Sequence, residues 1–139
     1  MNMKKTISIL FFILFLASEL YSLDKLFTGS FIVELKSIND KVVFFNSGVA
    51  NWVFEFYENN TCIERVDKNQ NGIFEKNEIK KMICELKILN GDYILIINDT
   101  PYLAQIKKLG IINPQRSIVL YSKDAFGNIT KLELKEYRM

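Results

Sequence analysis

The chain contains no histidine. Imidazole is the only side chain whose unperturbed titration falls near neutral pH, so histidine general-base catalysis and imidazole-held zinc are both excluded. Cysteine is nearly absent: Cys62 and Cys84 are the only two, and neither has an imidazole in the chain to activate it as a nucleophile. No run of Lys or Arg exceeds a pair and the formal net charge is only +2, which leaves no electrostatic footprint for nucleic acid. There is no Gly-rich phosphate loop and no serine elbow. Glu34, Glu55, Glu64 and Glu85 are scattered, without the spacing of a catalytic carboxylate pair. Internal repeats and low-complexity linkers are lacking as well. Together these absences point away from an enzyme.

What is present reads as one small globular domain behind an export leader. The 139 residues fit a single domain, and 49% hydrophobic with 24% charged residues is a globular balance. Residues 1–22 have the character of a signal peptide: Lys4 and Lys5 at the start, the apolar run Ile7 to Ala17, then a short polar segment ending at Ser22. The run is too short for the roughly 20 residues a spanning helix needs, so removal is favoured over retention as an anchor. No cysteine follows the run to carry a lipid. The mature chain is expected at residues 23–139, periplasmic or extracellular, touching a membrane only through the transient leader.

Along that domain, Thr28 to Lys36 and Lys41 to Asn46 read as strands joined by turn chemistry at Ser37–Asp40. Val49 to Phe54 is a third strand or the lead into a helix, with Trp52 as a core anchor. Glu55 to Val66 reads as a helix, although Asn59-Asn60-Thr61 is poor helical material. Lys76 to Leu89 reads as a second helix, ended by Asn90-Gly91. Strands return at Asp92–Asn98, at Tyr102–Leu109 less clearly, and in a hairpin of Ser117–Ser122 with Ile129–Tyr137. The expected fold is therefore α+β, with antiparallel strands flanking a helix–loop–helix at residues 55–89.

Between the two expected helices lies Asp67-Lys68-Asn69-Gln70-Asn71-Gly72-Ile73-Phe74-Glu75-Lys76-Asn77-Glu78. It satisfies the pattern D-x-[DN]-x-[DN]-G-x5-E at every specified place. Calcium takes six to eight hard oxygen ligands at about 2.3–2.6 Å, and a twelve-residue loop must wrap to deliver them. Asp67, Asn69 and Asn71 offer side-chain oxygens from alternate positions, Ile73 its carbonyl, Glu75 a direct or water-mediated contact, and Glu78 both carboxylate oxygens. Gly72 permits the sharp turn. Asn-rich loops do form for turn reasons alone, but that would not place Glu78 at position twelve. With Asn at positions three and five the charge count is modest, and affinity is expected at roughly 10⁻⁵–10⁻³ M.

In these residues the chain resembles the EF-hand calcium-binding proteins. The resemblance extends to the flanks, where Cys62, Ile63 and Val66 precede the loop and Ile79, Met82, Ile83 and Leu86 follow it at helical spacing. Phe74 replaces the usual aliphatic residue, so the loop is expected to pack against its own domain. EF-hands normally pair, and no second match exists here; support comes either from a homodimer or from the surrounding strands. The favoured reading is a calcium ion that stabilises a small binding or interaction domain by mass action. The alternative is a calcium-responsive sensor or buffer that exposes a hydrophobic groove.

A fainter resemblance rests on Asn51-Trp52-Val53-Phe54-Glu55 together with the Asp67–Glu78 loop. These segments are similar to exported bacterial proteins of unknown function described as periplasmic components of metal-uptake transport systems. That resemblance implies an extracytoplasmic accessory to a transporter, with a protein partner. Cys62 and Cys84 leave two alternatives open. An even pair in an oxidising compartment suggests a disulfide, whereas diverging EF-hand helices would hold the Cα atoms beyond the roughly 7 Å that a bridge tolerates.

Overall fold

The computed structural model describes residues 26–46, 51–112 and 114–137. The signal-peptide reading of residues 1–22 lies outside them. The described residues form nine strands: β1 (Gly29–Ile38), β2 (Lys41–Phe45), β3 (Trp52–Phe56), β4 (Thr61–Val66), β5 (Ile79–Leu89), β6 (Asp92–Ile97), β7 (Thr100–Leu109), β8 (Gln115–Lys123) and β9 (Ile129–Glu136). All pairings are antiparallel, and β9 returns to β1. β2 and β3 lie along the same edge of β1, against its C-terminal and N-terminal halves respectively, and so act as one interrupted strand. The sheet closes into an eight-strand up-and-down barrel. Among the described residues, the only helical piece is a single 3₁₀ turn, Lys76–Glu78.

This overturns the α+β expectation and, with it, the EF-hand helix–loop–helix. The first expected helix is the end of β3, a turn and β4. Tyr57 N–H donates to the Thr61 carbonyl (2.9 Å), Asn59 Oδ1 accepts from Thr61 N–H (3.1 Å), and Asn60 sits at φ 63°. The poor helix formers at Asn59-Asn60-Thr61 are therefore a hairpin turn, because Asn tolerates the left-handed region and caps its own turn. The second expected helix is β5. Met82, Cys84 and Leu86 are buried at spacing two while Ile79 and Ile83 face out. Residues 82 and 86 satisfy both periods, so the helical pattern rested on Ile79 and Ile83, whose β-branching in fact suits an extended backbone.

Tight turns fix the register. Asn39-Asp40, Asn90-Gly91 and Asn98-Asp99 each connect adjacent strands with both residues at positive φ. That is the two-residue hairpin geometry whose twist matches the flanking strands. Alternation then fills the interior: Phe31 and Val33, Phe54 and Phe56, Leu86, Leu95, Ile118 and Leu120, Leu132 and Leu134 are all buried in one cluster. Phe54 and Phe56 stack at 5.9 Å between centroids, and Phe27 meets Tyr93 edge-on at 5.2 Å.

The barrel has two distinct ends. One carries the turns at 39–40 and 98–99, the 67–78 connection and the 124–128 loop. The other carries the turns at 57–60 and 90–91, the 109–114 connection and both ends of the described chain. Arg116 braces this second end: Nη2 pairs with Glu136 Oε2 at 2.7 Å, Nη1 donates to the Leu26 carbonyl at 3.1 Å, and the guanidinium covers the Phe31 ring at 5.1 Å. Gly29, at φ 127°, lies so close that a Cβ would stand 2.7 Å from Arg116 Nη2.

Strand and helix make opposite predictions for neighbouring residues in β5. Ile83 is 67% exposed, so Ile83→Lys should stay within about 0.5 kcal/mol of the parent. Met82→Lys places a charge inside the barrel and should cost about 3–5 kcal/mol by urea denaturation. Equal losses at both positions would contradict the strand.

Candidate functional site

The Asp67–Glu78 segment connects β4 to β5 at the first end of the barrel, as a strand–loop–strand. Its two outermost carboxylates are its most buried residues: Asp67 is 7% and Glu78 5% exposed. Asp67 Oδ1 accepts from Asn71 N–H (3.2 Å) and Oδ2 from Gly72 N–H (2.8 Å). Gly72 adopts φ 82°, which turns its amide back toward that carboxylate. Glu78 Oε1 accepts from Glu75 N–H at 3.0 Å while Glu78 N–H donates to the Glu75 carbonyl at 2.9 Å, and Glu78 Oε2 accepts from Lys68 N–H. The 3₁₀ turn at Lys76–Glu78 is capped in this way, and Glu78 ties the two ends of the loop together.

The middle of the loop is more open. Asn69 Oδ1 and Asn71 Oδ1 accept from the Asn71 and Ile73 amides at 3.4 and 3.0 Å. Their amide nitrogens both donate to Glu75 Oε1, at 3.2 and 2.8 Å. Ile73 is exposed and Phe74 is half-buried on the domain. The six expected ligand residues thus share one loop, with Asp67 and Glu78 fixed by backbone donors and Glu75 held by the two Asn side chains. Among the described residues, no three Asp, Glu, Cys or His side chains are gathered as a metal-holding group.

A hard cation nevertheless fits the donor chemistry. Each Asp67 and Glu78 oxygen accepts one backbone N–H, and a carboxylate offers about four lone-pair directions in all. Among the described residues neither carboxylate has a Lys or Arg within ion-pair distance. Buried carboxylates are ordinarily paired with a cation or a metal. Asn51, whose carbonyl accepts from Asp67 N–H at 2.8 Å, also carries a buried side-chain oxygen with no hydrogen-bond partner among the described residues. Asp67, Glu78 and the Ile73 carbonyl would hold the ion, with Asn69, Asn71 and Glu75 completing the shell once their mutual bonds exchange.

The strands on either side are locked covalently. Cys62 and Cys84 form a disulfide with Cα atoms 5.8 Å apart, both fully buried. The geometric objection to a bridge came from diverging helices. Antiparallel β4 and β5, with Cys62 opposite Met82, bring the cysteines onto one inner face as diagonal neighbours. Residues 62 and 84 thus close the stem of the hairpin whose tip is the 67–78 loop.

Beside that loop, the barrel interior opens into a cavity of about 190 Å³ lined by Phe54, Glu64, Lys80, Met82, Ile97, Asn98, Thr100 and Tyr102. Glu64 points inward, where Oε2 accepts from Trp52 Nε1 at 3.0 Å. Trp52 packs on Phe44 at 5.1 Å, with Lys36 Nζ 5.8 Å from its ring centroid. Burial, and then the Glu64 charge, push the Tyr102 phenol above its ordinary pKa. Sequence reasoning took Trp52 as core and Glu64 as an isolated acid. The β3–β4 hairpin sets Trp52 on Glu64, whereas Glu64 and Tyr102 share one space although they come from β4 and β7. The alternation Trp52-Val53-Phe54 and Cys62-Ile63-Glu64-Arg65-Val66 was the available signal, because it puts Glu64 on the inner face.

The geometry defines a closed antiparallel barrel with a polar mouth and a carboxylate-fixed loop beside it. Comparison with protein-family models, with curated proteins and with solved structures gave no match.

Two measurements probe the β4–β5 stem and the cavity. Reducing the disulfide, or making Cys62→Ala/Cys84→Ala, releases a loop with a sequence separation of 22 and should cost about 3 kcal/mol of stability in urea melts. Glu64→Gln removes a negative charge that opposes the phenolate. The Tyr102 pKa should therefore fall in an ultraviolet titration while staying above the ordinary tyrosine value, because burial, the larger cause, remains.

Proposed function

We propose that this chain is an exported binding barrel whose β4–β5 loop holds one calcium ion, and that the ion stabilises the polar mouth of the barrel. The observation that carries the reading is the pair of buried carboxylates, Asp67 and Glu78. Backbone amides fix them at the first and last places of the twelve-residue loop, and no basic side chain among the described residues balances them. A binding role is supported by the cavity next to the loop, where the Glu64 carboxylate, the Lys80 ammonium and the Tyr102 phenol stand against Phe54, Met82 and Ile97. Concave sites with a few polar groups are where small ligands bind. Export is supported by the buried disulfide, since such bonds persist in oxidising compartments.

The sensor alternative loses its mechanism in this architecture. A sensor EF-hand works by changing the angle between two helices and so uncovering an apolar groove. Here the loop is anchored on two hydrogen-bonded strands that the disulfide also joins. Binding there tightens a hairpin. A structural ion of modest affinity suits a compartment where calcium is abundant.

Thermal melts with and without calcium test the reading. At a calcium concentration about 100 times Kd the stabilisation should be about 2.7 kcal/mol, a rise in Tm of roughly 10 °C. Glu78→Gln keeps an acceptor for a backbone amide but loses the charge, and should remove most of that rise, as should Asp67→Asn. Magnesium, which gives up its water reluctantly, should do little. An unchanged Tm in millimolar calcium would overturn the proposal.

A further inference from the structure

The end of the barrel remote from the loop carries a feature that neither calcium nor the cavity uses. Pairing of β6 with β7 ends at Tyr93–Ala104, whereas β7 continues against β8 alone as far as Leu109–Gln115. The tip of this hairpin is apolar and exposed: Leu109 is 62%, Ile111 100% and Ile112 92% accessible. Single exposed apolar residues are ordinary, but three large aliphatic side chains within four positions at one tip mark a contact surface. Lys107 and Lys108 stand immediately before them, both exposed, with no carboxylate within ion-pair distance among the described residues. The nearby acid, Glu136, is neutralised by Arg116.

An aliphatic tip preceded by two exposed lysines matches a bilayer surface in two respects. The side chains of Leu109, Ile111 and Ile112 can enter the headgroup boundary, and the lysines can sit among anionic headgroups. The fold supplies a third argument. The described chain begins at this same end, where Leu26 is held by Arg116, so the segment bearing the apolar run Ile7–Ala17 joins the barrel on the side of the tip. A membrane that holds that segment during export is thus connected to the barrel through this end. We infer that the β7–β8 tip, Lys107 to Ile112, is a membrane-docking element that seats the barrel on a bilayer containing anionic phospholipid, with the calcium loop and the cavity pointing away from it. This does not depend on the calcium reading.

The test uses the chain without residues 1–22, which keeps the whole closed barrel of residues 26–137 and removes the leader's own lipid affinity. It should co-sediment with vesicles of phosphatidylglycerol and phosphatidylcholine, and about tenfold less with phosphatidylcholine alone. Ile111→Ser/Ile112→Ser should abolish binding, and Lys107→Glu/Lys108→Glu should reduce it to the level seen with neutral vesicles. Both variants alter exposed residues, and unchanged thermal melts would show that they fold. An Ile112→Trp variant should show a blue shift in emission on adding the anionic vesicles. The inference is overturned by no sedimentation with either vesicle, by binding that survives the double serine variant, or by tip substitutions that change only self-association of the protein.

Discussion

The pairing of β1 with β9 is what the rest of the molecule depends on. It joins residues about a hundred positions apart, from Phe31 opposite Glu136 to Ile38 opposite Thr130, with a register shift near Glu34. Without it the sheet would have two long unpaired edges, a liability that closure removes. With it, every inward side chain gains neighbours from across the barrel, and the core of Phe31, Phe56, Leu120 and Leu134 becomes continuous. Closure also creates the mouth. Its lining includes Phe54, Glu64, Met82, Ile97 and Tyr102, which come from the five strands β3 to β7.

The loop at Asp67 takes its meaning from that frame. A calcium loop between helices can transmit a change of angle. The same twelve residues between two strands of a closed barrel, with a disulfide across the stem, have little freedom to transmit anything. Backbone amides are already directed onto Asp67 and Glu78, and a cation would supply the counter-charge that no described Lys or Arg gives them. The two ends of the barrel thus divide the work. The loop end carries the proposed ion site and the cavity, and the opposite end, braced by Arg116 on Glu136 and Leu26, presents an apolar tip.

Much of the sheet was legible in the sequence. Thr28–Lys36, Asp92–Asn98 and the final hairpin alternate or are β-branched, and their turns carry Asn, Asp or Gly where positive φ is required. The two false helices failed for one reason. The twelve-residue loop motif imposed helices on its flanks, and Met82 with Leu86 fits a helical stripe as well as a strand. The warning lay in Asn59-Asn60-Thr61, which forms a turn, and in β-branched Ile79 and Ile83, which face outward. The loop residues themselves were legible because their spacing is local. The disulfide was not, because the distance between Cys62 and Cys84 depends on whether their segments diverge or pair. The cavity was not legible either, since its lining is gathered from five strands.

The central claim is that the Asp67–Glu78 loop binds calcium through carboxylates already fixed by backbone amides. The most direct measurement is a calcium titration followed by ¹H–¹⁵N correlation spectra of the folded protein. The account predicts saturable shifts of the Lys68, Asn71, Gly72 and Glu75 amides, the donors to Asp67 and Glu78, while resonances at the Lys107–Ile112 tip stay in place. Amides of the loop that do not move in millimolar calcium would contradict it.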